Sequence, residues 1–112
     1  MRLTELEPEL RSYLPGGYLG HPATLAEAQG IWFLCPRCFV KNGGPIGTHE
    51  VLVWFADRGV PAEAEPSPRW TVSGTSFDDI SLDPSIDCTK DKQGNVAHPE
   101  EWHGYLKNGE IT

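Results

Sequence analysis

The chain has 112 residues, enough for one domain with a modest core and close to the size at which a small fold gains from a staple such as a metal. Hydrophobic residues make up 38%, and 12 Gly with 10 Pro fill 22 of 112 positions, which keeps regular elements short and favours an α+β, β-rich fold over a helical bundle. Sixteen acidic against nine basic side chains give a formal charge of −7, which opposes attraction to nucleic-acid phosphates and to anionic membranes.

Met1 leads into RLTELEPEL without an apolar leader core, and no run approaches the roughly 18 apolar residues of a membrane span, so a cytoplasmic chain with neither membrane nor nucleic acid as partner is expected. Thr4 and Glu7 have capping-box spacing, and Leu6, Leu10, Tyr13 and Leu14 fall on one helical face, which predicts a short amphipathic helix ended by PGGYLGHP. A second helix of one or two turns is expected from Thr24, with Glu27 three residues on and Gly30 as its stop. Residues 1–29 thus read as a helical N-terminal segment and 30–112 as a β-rich, metal-binding core of the same single domain.

From Ile31 the pattern changes. IWFLC is a continuous apolar run bounded by Gly30 and Pro36, the length of a buried strand. HEVLVWF alternates, with His49, Val51, Val53 and Phe55 on one face, and antiparallel pairing of the two strands would set Cys35 near His49. Residues 56–68 carry acids, prolines and small residues without periodicity and read as a solvated loop. RWTVSG and DDISLDPSIDC read as further strands, the second interrupted by Pro84. After the polar stretch TKDKQGNVAHPEE, Asn108-Gly109 between short β-like pieces signals a type I′ hairpin.

Cys35 and Cys38 have C-x₂-C spacing on a Pro-containing turn, a geometry that lets both thiolates converge on one Zn²⁺ ion. Three cysteines cannot all pair within one chain, so ligation is the leading use for them. A closed tetrahedral site needs two more ligands, and Cys88, His103 and His49 all sit at strand ends where ligands are commonly placed. His21 and His98 precede prolines in polar loops and read as surface imidazoles. A redox pair would begin a helix after a strand, and FVKNGGP is a poor helix start. Cys88 also reads as a small buried hydrophobe, and His103 as a stacking or hydrogen-bonding imidazole. The four tryptophans are best used as core. Asp78 and Asp79 are adjacent, so on a strand they would face apart and not share a site.

FLCPRCFVKNGGPIGTHEVLVWF, PRWTVSGTSFDDISLDPSI and WHGYLKNGEIT together resemble a family of small, mostly phage- and prophage-encoded proteins of unknown function, some of them labelled ammonia monooxygenase. The resemblance spans residues 24–112 and implies a compact, zinc-ribbon-like β fold around a zinc site, with Cys35, Cys38 and His103 at positions matching the family motif and His49 at a recurrent one. Some members carry another cysteine just before the Trp-His pair; here Pro99, Glu100 and Glu101 stand there, which leaves Cys88 free to complete the site. The resemblance implies a phage accessory role, and the enzyme label has no support in the chain. The reading is therefore a small zinc-binding protein whose metal is structural and which acts by binding another protein. The alternative is a zinc-dependent hydrolase with an open coordination position and Glu100 or Glu101 as base.

Overall fold

A six-stranded sheet organises the chain, in the order β2-β1-β3-β4-β5-β6. A computed structural model describes all 112 residues. Its strands are β1 (Glu9–Leu14), β2 (Tyr18–Gly20), β3 (Gly30–Leu34), β4 (Glu50–Phe55), β5 (Arg69–Ser73) and β6 (Ser81–Asp83). All neighbours are antiparallel except β4 and β5, which run parallel and pair only at Trp54 with Arg69 and Phe55 with Trp70. Two small ribbons lean on this sheet: β7 (Ile86–Asp87) with β8 (His103–Gly104), and β9 (Leu106–Lys107) with β10 (Glu110–Ile111). The one α-helix is α1 (Pro36–Asn42). No helix is long and apolar enough to cross a membrane.

The N-terminal segment is not helical as its periodicity predicts. A 3₁₀ turn over Leu3–Leu6 is followed by strand β1. The physical reason is Pro8, which in a helix over 4–14 would lack an N–H donor and clash with the carbonyl of Thr4. Glu7 instead turns left-handed (φ 51°), and the chain leaves the 3₁₀ turn as an extended strand in which Leu10 pairs with Ile31. The second expected helix is a single turn: Ala28 N–H donates to the Thr24 carbonyl at 3.1 Å, and Thr24 Oγ1 caps Glu27 N–H.

Leu3 and Leu6 from the 3₁₀ turn, Ile31 and Phe33 from β3, Val53 and Phe55 from β4, and Ile80, Leu82 and Leu106 make a fully buried centre. The odd-numbered residues of β4 face inward as their alternation requires; Trp54, on the other face, is also buried, under an edge-on contact with Tyr13 and an indole N–H bond to the Glu65 carbonyl at 2.9 Å.

Pro84 splits the fourth expected strand into β6 and β7, since proline cannot donate to a ladder. The terminal hairpin turns through Asn108 (φ 49°) and Gly109 (φ 75°), the two positive φ values of a type I′ turn. Arg2 fastens this hairpin to the other terminus, donating to the Asn108 carbonyl at 2.9 Å and pairing with Glu110 at 3.1 Å.

Candidate metal centre

The C-x₂-C pair lies where β3 turns into α1. Cys35 is the residue before the helix, Pro36 starts it where a missing N–H costs nothing, and Phe39 N–H bonds the Cys35 carbonyl at 2.9 Å. The tight turn expected here is therefore the first turn of a helix, and FVKN continues it to a left-handed Gly43 cap. A strand–cysteine–helix arrangement is the setting in which a redox pair would be sought. Here, however, β3 and β4 are antiparallel and the Cys38 thiol is pushed up to about 11, by burial first and then by the neighbouring Cys35, the reverse of a reactive low-pKa thiol.

The loop from α1 to β4 returns the chain to the same place. Thr48 Oγ1 donates to the Gly44 carbonyl at 2.8 Å and accepts from the Asn42 amide at 3.2 Å, which fixes the entry to β4. Cys35 N–H then donates to the His49 carbonyl at 2.9 Å, extending the β3–β4 ladder by one pair. The predicted approach of Cys35 and His49 is realised in this pair.

As a result the ligand atoms of Cys35, Cys38 and His49 all lie within 4.8 Å of one another. Cys35 is buried and the other two are half-buried. His49 Nε2 is itself buried and makes no hydrogen bond, although Glu101 Oε2 stands 3.5 Å away. Two thiols and an imidazole at this spacing are a donor set suited to a cation.

Cys88 stands beside this group but outside its 4.8 Å limit. Its thiol is pushed up to about 12, by burial first and then by the nearby Cys35 and Glu101. Thiols so raised are neutral at pH 7 and must lose their protons to ligate, so metal uptake here would release protons and weaken in acid.

The structure does not bring His103 to the cluster. Cys88 N–H donates to the Trp102 carbonyl at 2.8 Å, and in β7–β8 Ile86 pairs with Gly104 and Asp87 with His103. Because side chains alternate across a strand, Cys88 and Trp102 share the inner face, and Asp87 and His103 the outer one. Residues 102–106 alternate buried and exposed without a break. His103 Nε2 lies 3.2 Å from Ser85 Oγ and its Nδ1 3.8 Å from Asp87, with the side chain 52% exposed. That order of groups is the order of a hydrolytic triad, but the 3.8 Å gap leaves the imidazole without a hydrogen bond to the carboxylate that would orient it. Asp87 is instead held by Thr89, whose hydrogen bonds and the nearby His103 outweigh burial and lower its pKa.

His21 and His98 are exposed, as their loops predict. His21 Nδ1 accepts from Arg11 at 2.7 Å. Arg11 itself went unremarked in the sequence: it is 3% exposed, pairs with Glu9 at 2.8 Å and stacks 4.3 Å over Trp32. Its position in β1 opposite Gly30 explains the burial, and the helical reading of 4–14 hid that register. Asp79 caps its own turn, accepting from Thr75 N–H at 2.8 Å and Ser76 N–H at 2.9 Å, and shares no site with Asp78. Glu101 is the further residue of the site, and it is placed by its loop: Glu101 N–H bonds the His98 carbonyl at 3.0 Å while Arg37 of α1 reaches the Pro99 carbonyl at 3.4 Å.

Fold and site together define a small β-rich domain with a Cys₂His cluster that could hold a metal ion. Comparison of the chain with models of known families, with curated proteins and with solved structures finds no match.

Proposed function

We propose that the protein is a small, zinc-ribbon-like accessory module of the phage type, stapled by one structural zinc ion and acting by binding another protein. The observation that carries the metal is the convergence of the Cys35, Cys38 and His49 ligand atoms to within 4.8 Å of one another. Thiolate and imidazole donors suit zinc, and Cys88, next to the cluster on the inner face of β7–β8, is the fourth ligand in this reading. Four protein ligands leave no coordination position for a substrate, so the role falls to the surface, which is strongly acidic.

A hydrolase reading draws on Glu101, a carboxylate beside His49 at the mouth of a cleft. The same contact, made at Nε2, suits the more common arrangement in which the imidazole ligates through Nδ1 and a carboxylate orients it from its other nitrogen. Elemental analysis of the purified protein with melting before and after chelation tests the proposal. About one zinc per chain and loss of the cooperative transition on chelation are expected; a metal-free protein with an unchanged cooperative melt would refute it.

A further inference from the structure

A cleft of about 740 Å³, the size of a ligand pocket, is lined by His49–Leu52, by Glu65–Trp70 leading into β5 and by Pro84–Cys88. Its β4 and β7 walls are unpaired strand edges. On β4, the Cys35–His49 hydrogen bond sets the ladder phase, so His49, Val51 and Val53 bond toward β3, while Glu50 and Leu52 turn their N–H and C=O groups the other way. β5 reaches β4 only at Trp54 and Phe55, and the main chains of Glu50 and Leu52 have no partner. On β7, the Cys88–Trp102 bond sets the phase in the same manner, and Ser85 and Asp87 turn their N–H groups away from β8. The Ser85 carbonyl, on that side, accepts from the Trp70 indole at 3.2 Å, which places this edge toward the cleft.

We infer that this cleft is a strand-addition site for an extended, basic peptide segment of a protein partner, which would hydrogen-bond to Glu50 and Leu52 on one side and to Ser85 and Asp87 on the other. One strand inserted here would join the six-stranded sheet to the β7–β8 ribbon, and main-chain bonding of this kind gives affinity while side-chain surroundings give specificity. Five carboxylates line the cleft, those of Glu50, Glu65, Asp87, Asp91 and Glu101, against Arg69, Lys90 and Lys92. Lys92 stands 3.9 Å from Glu65 and the Arg69 guanidinium is turned to carbonyl oxygens of residues 61–68, and the excess of carboxylates over cations leaves the lining net acidic. Val51 and Trp70 give it an apolar floor. His49 and Cys88 are part of the lining, so the inference rests on the metal reading above.

The test is a titration of isotope-labelled protein with an acetylated, amidated hexapeptide of alternating lysine and valine, its metal content measured on the same sample. Saturable shifts and slowed hydrogen exchange are expected at the Glu50, Leu52, Ser85 and Asp87 amides. Binding should weaken at least about tenfold for the matching glutamate–valine peptide, for a peptide N-methylated at alternate residues, and for Glu50→Lys with the lysine peptide. Metal-loaded protein showing no response at these amides, or equal response to both peptide charges, overturns the inference and leaves the metal reading standing. Metal-free folded protein with no response overturns both. Peptide-independent shifts at the same amides that grow with protein concentration would assign the cleft to a second copy of the chain and overturn the basic-peptide assignment.

Discussion

The two faces of the β7–β8 ribbon carry similar donor chemistry and are put to different uses. On the inner face Cys88 and Trp102 pack toward the core, Trp102 edge-on against Phe33 at 6.1 Å and Cys88 against the cluster that contains Cys35. One residue along, Asp87 and His103 face outward, the imidazole half-exposed and bonded to Ser85. A step of a single position on a strand thus separates a thiol beside a donor cluster from an imidazole in solvent. Ligand-type residues near one another in sequence are a site only when the period of their strand turns them to the same side.

The sharpest way to break this comparison is to remove inner-face donors. Cys35→Ser or Cys38→Ser should abolish metal retention and the cooperative melt, because in a small metal-stapled domain the binding free energy, about 10–16 kcal/mol for zinc-finger peptides, is also folding free energy. Circular dichroism melts with elemental analysis check this, and a stable metal-free variant would count against it. Trp102→Ala, which leaves the donors alone, should cost about 3–5 kcal/mol in chemical denaturation while zinc stays bound.

Glu101→Gln sharpens the comparison at the next level: metal affinity measured by competition with a chromophoric chelator should fall by about 10–100-fold if the carboxylate orients His49 at Nε2 while Nδ1 ligates. An unchanged affinity would make the contact incidental. On the outer face, His103→Ala should change stability by no more than about 0.5 kcal/mol and leave metal content intact, as expected of a side chain 52% exposed. The smallest effect belongs to Asp79, whose carboxyl is held below its ordinary range by the Thr75 and Ser76 N–H groups. A depressed folded pKa gives stability present above the unfolded value of 3.8 and lost as pH falls through the folded one. In Asp79→Asn that acid-limb slope should be weaker, and an identical acid limb would show that the turn contributes nothing.

Much of the central hairpin was legible because its signals agree. A continuous apolar run, an alternating run and a Gly-rich connection all specify β3, β4 and their antiparallel pairing, and with it the meeting of Cys35 and His49. The N-terminal segment was misread because Leu6, Leu10, Tyr13 and Leu14 satisfy a helical period that Pro8 forbids; a breaker outranks a periodicity. The helix at the cysteines is hidden from the sequence because it is only seven residues long and its apolar residues, Cys38, Phe39 and Val40, are consecutive and show no helical period. His103 was placed among the ligand candidates by its residue type and by family resemblance, whereas the alternation through WHGYL already turned it away from the face shared by Trp102 and Leu106. Gly104 in that run is fixed by close approach: a Cβ there would overlap the Thr112 carbonyl and the Trp102 ring.

The most direct measurement is zinc-edge X-ray absorption on the wild type, Cys88→Ser and His103→Ala. An inner-face site predicts three sulfurs and one imidazole nitrogen in the wild type, two sulfurs in Cys88→Ser, and an unchanged sphere in His103→Ala. Two sulfurs with two imidazoles in the wild type, one of them lost in His103→Ala, would place the metal on the outer-face histidine and contradict the account.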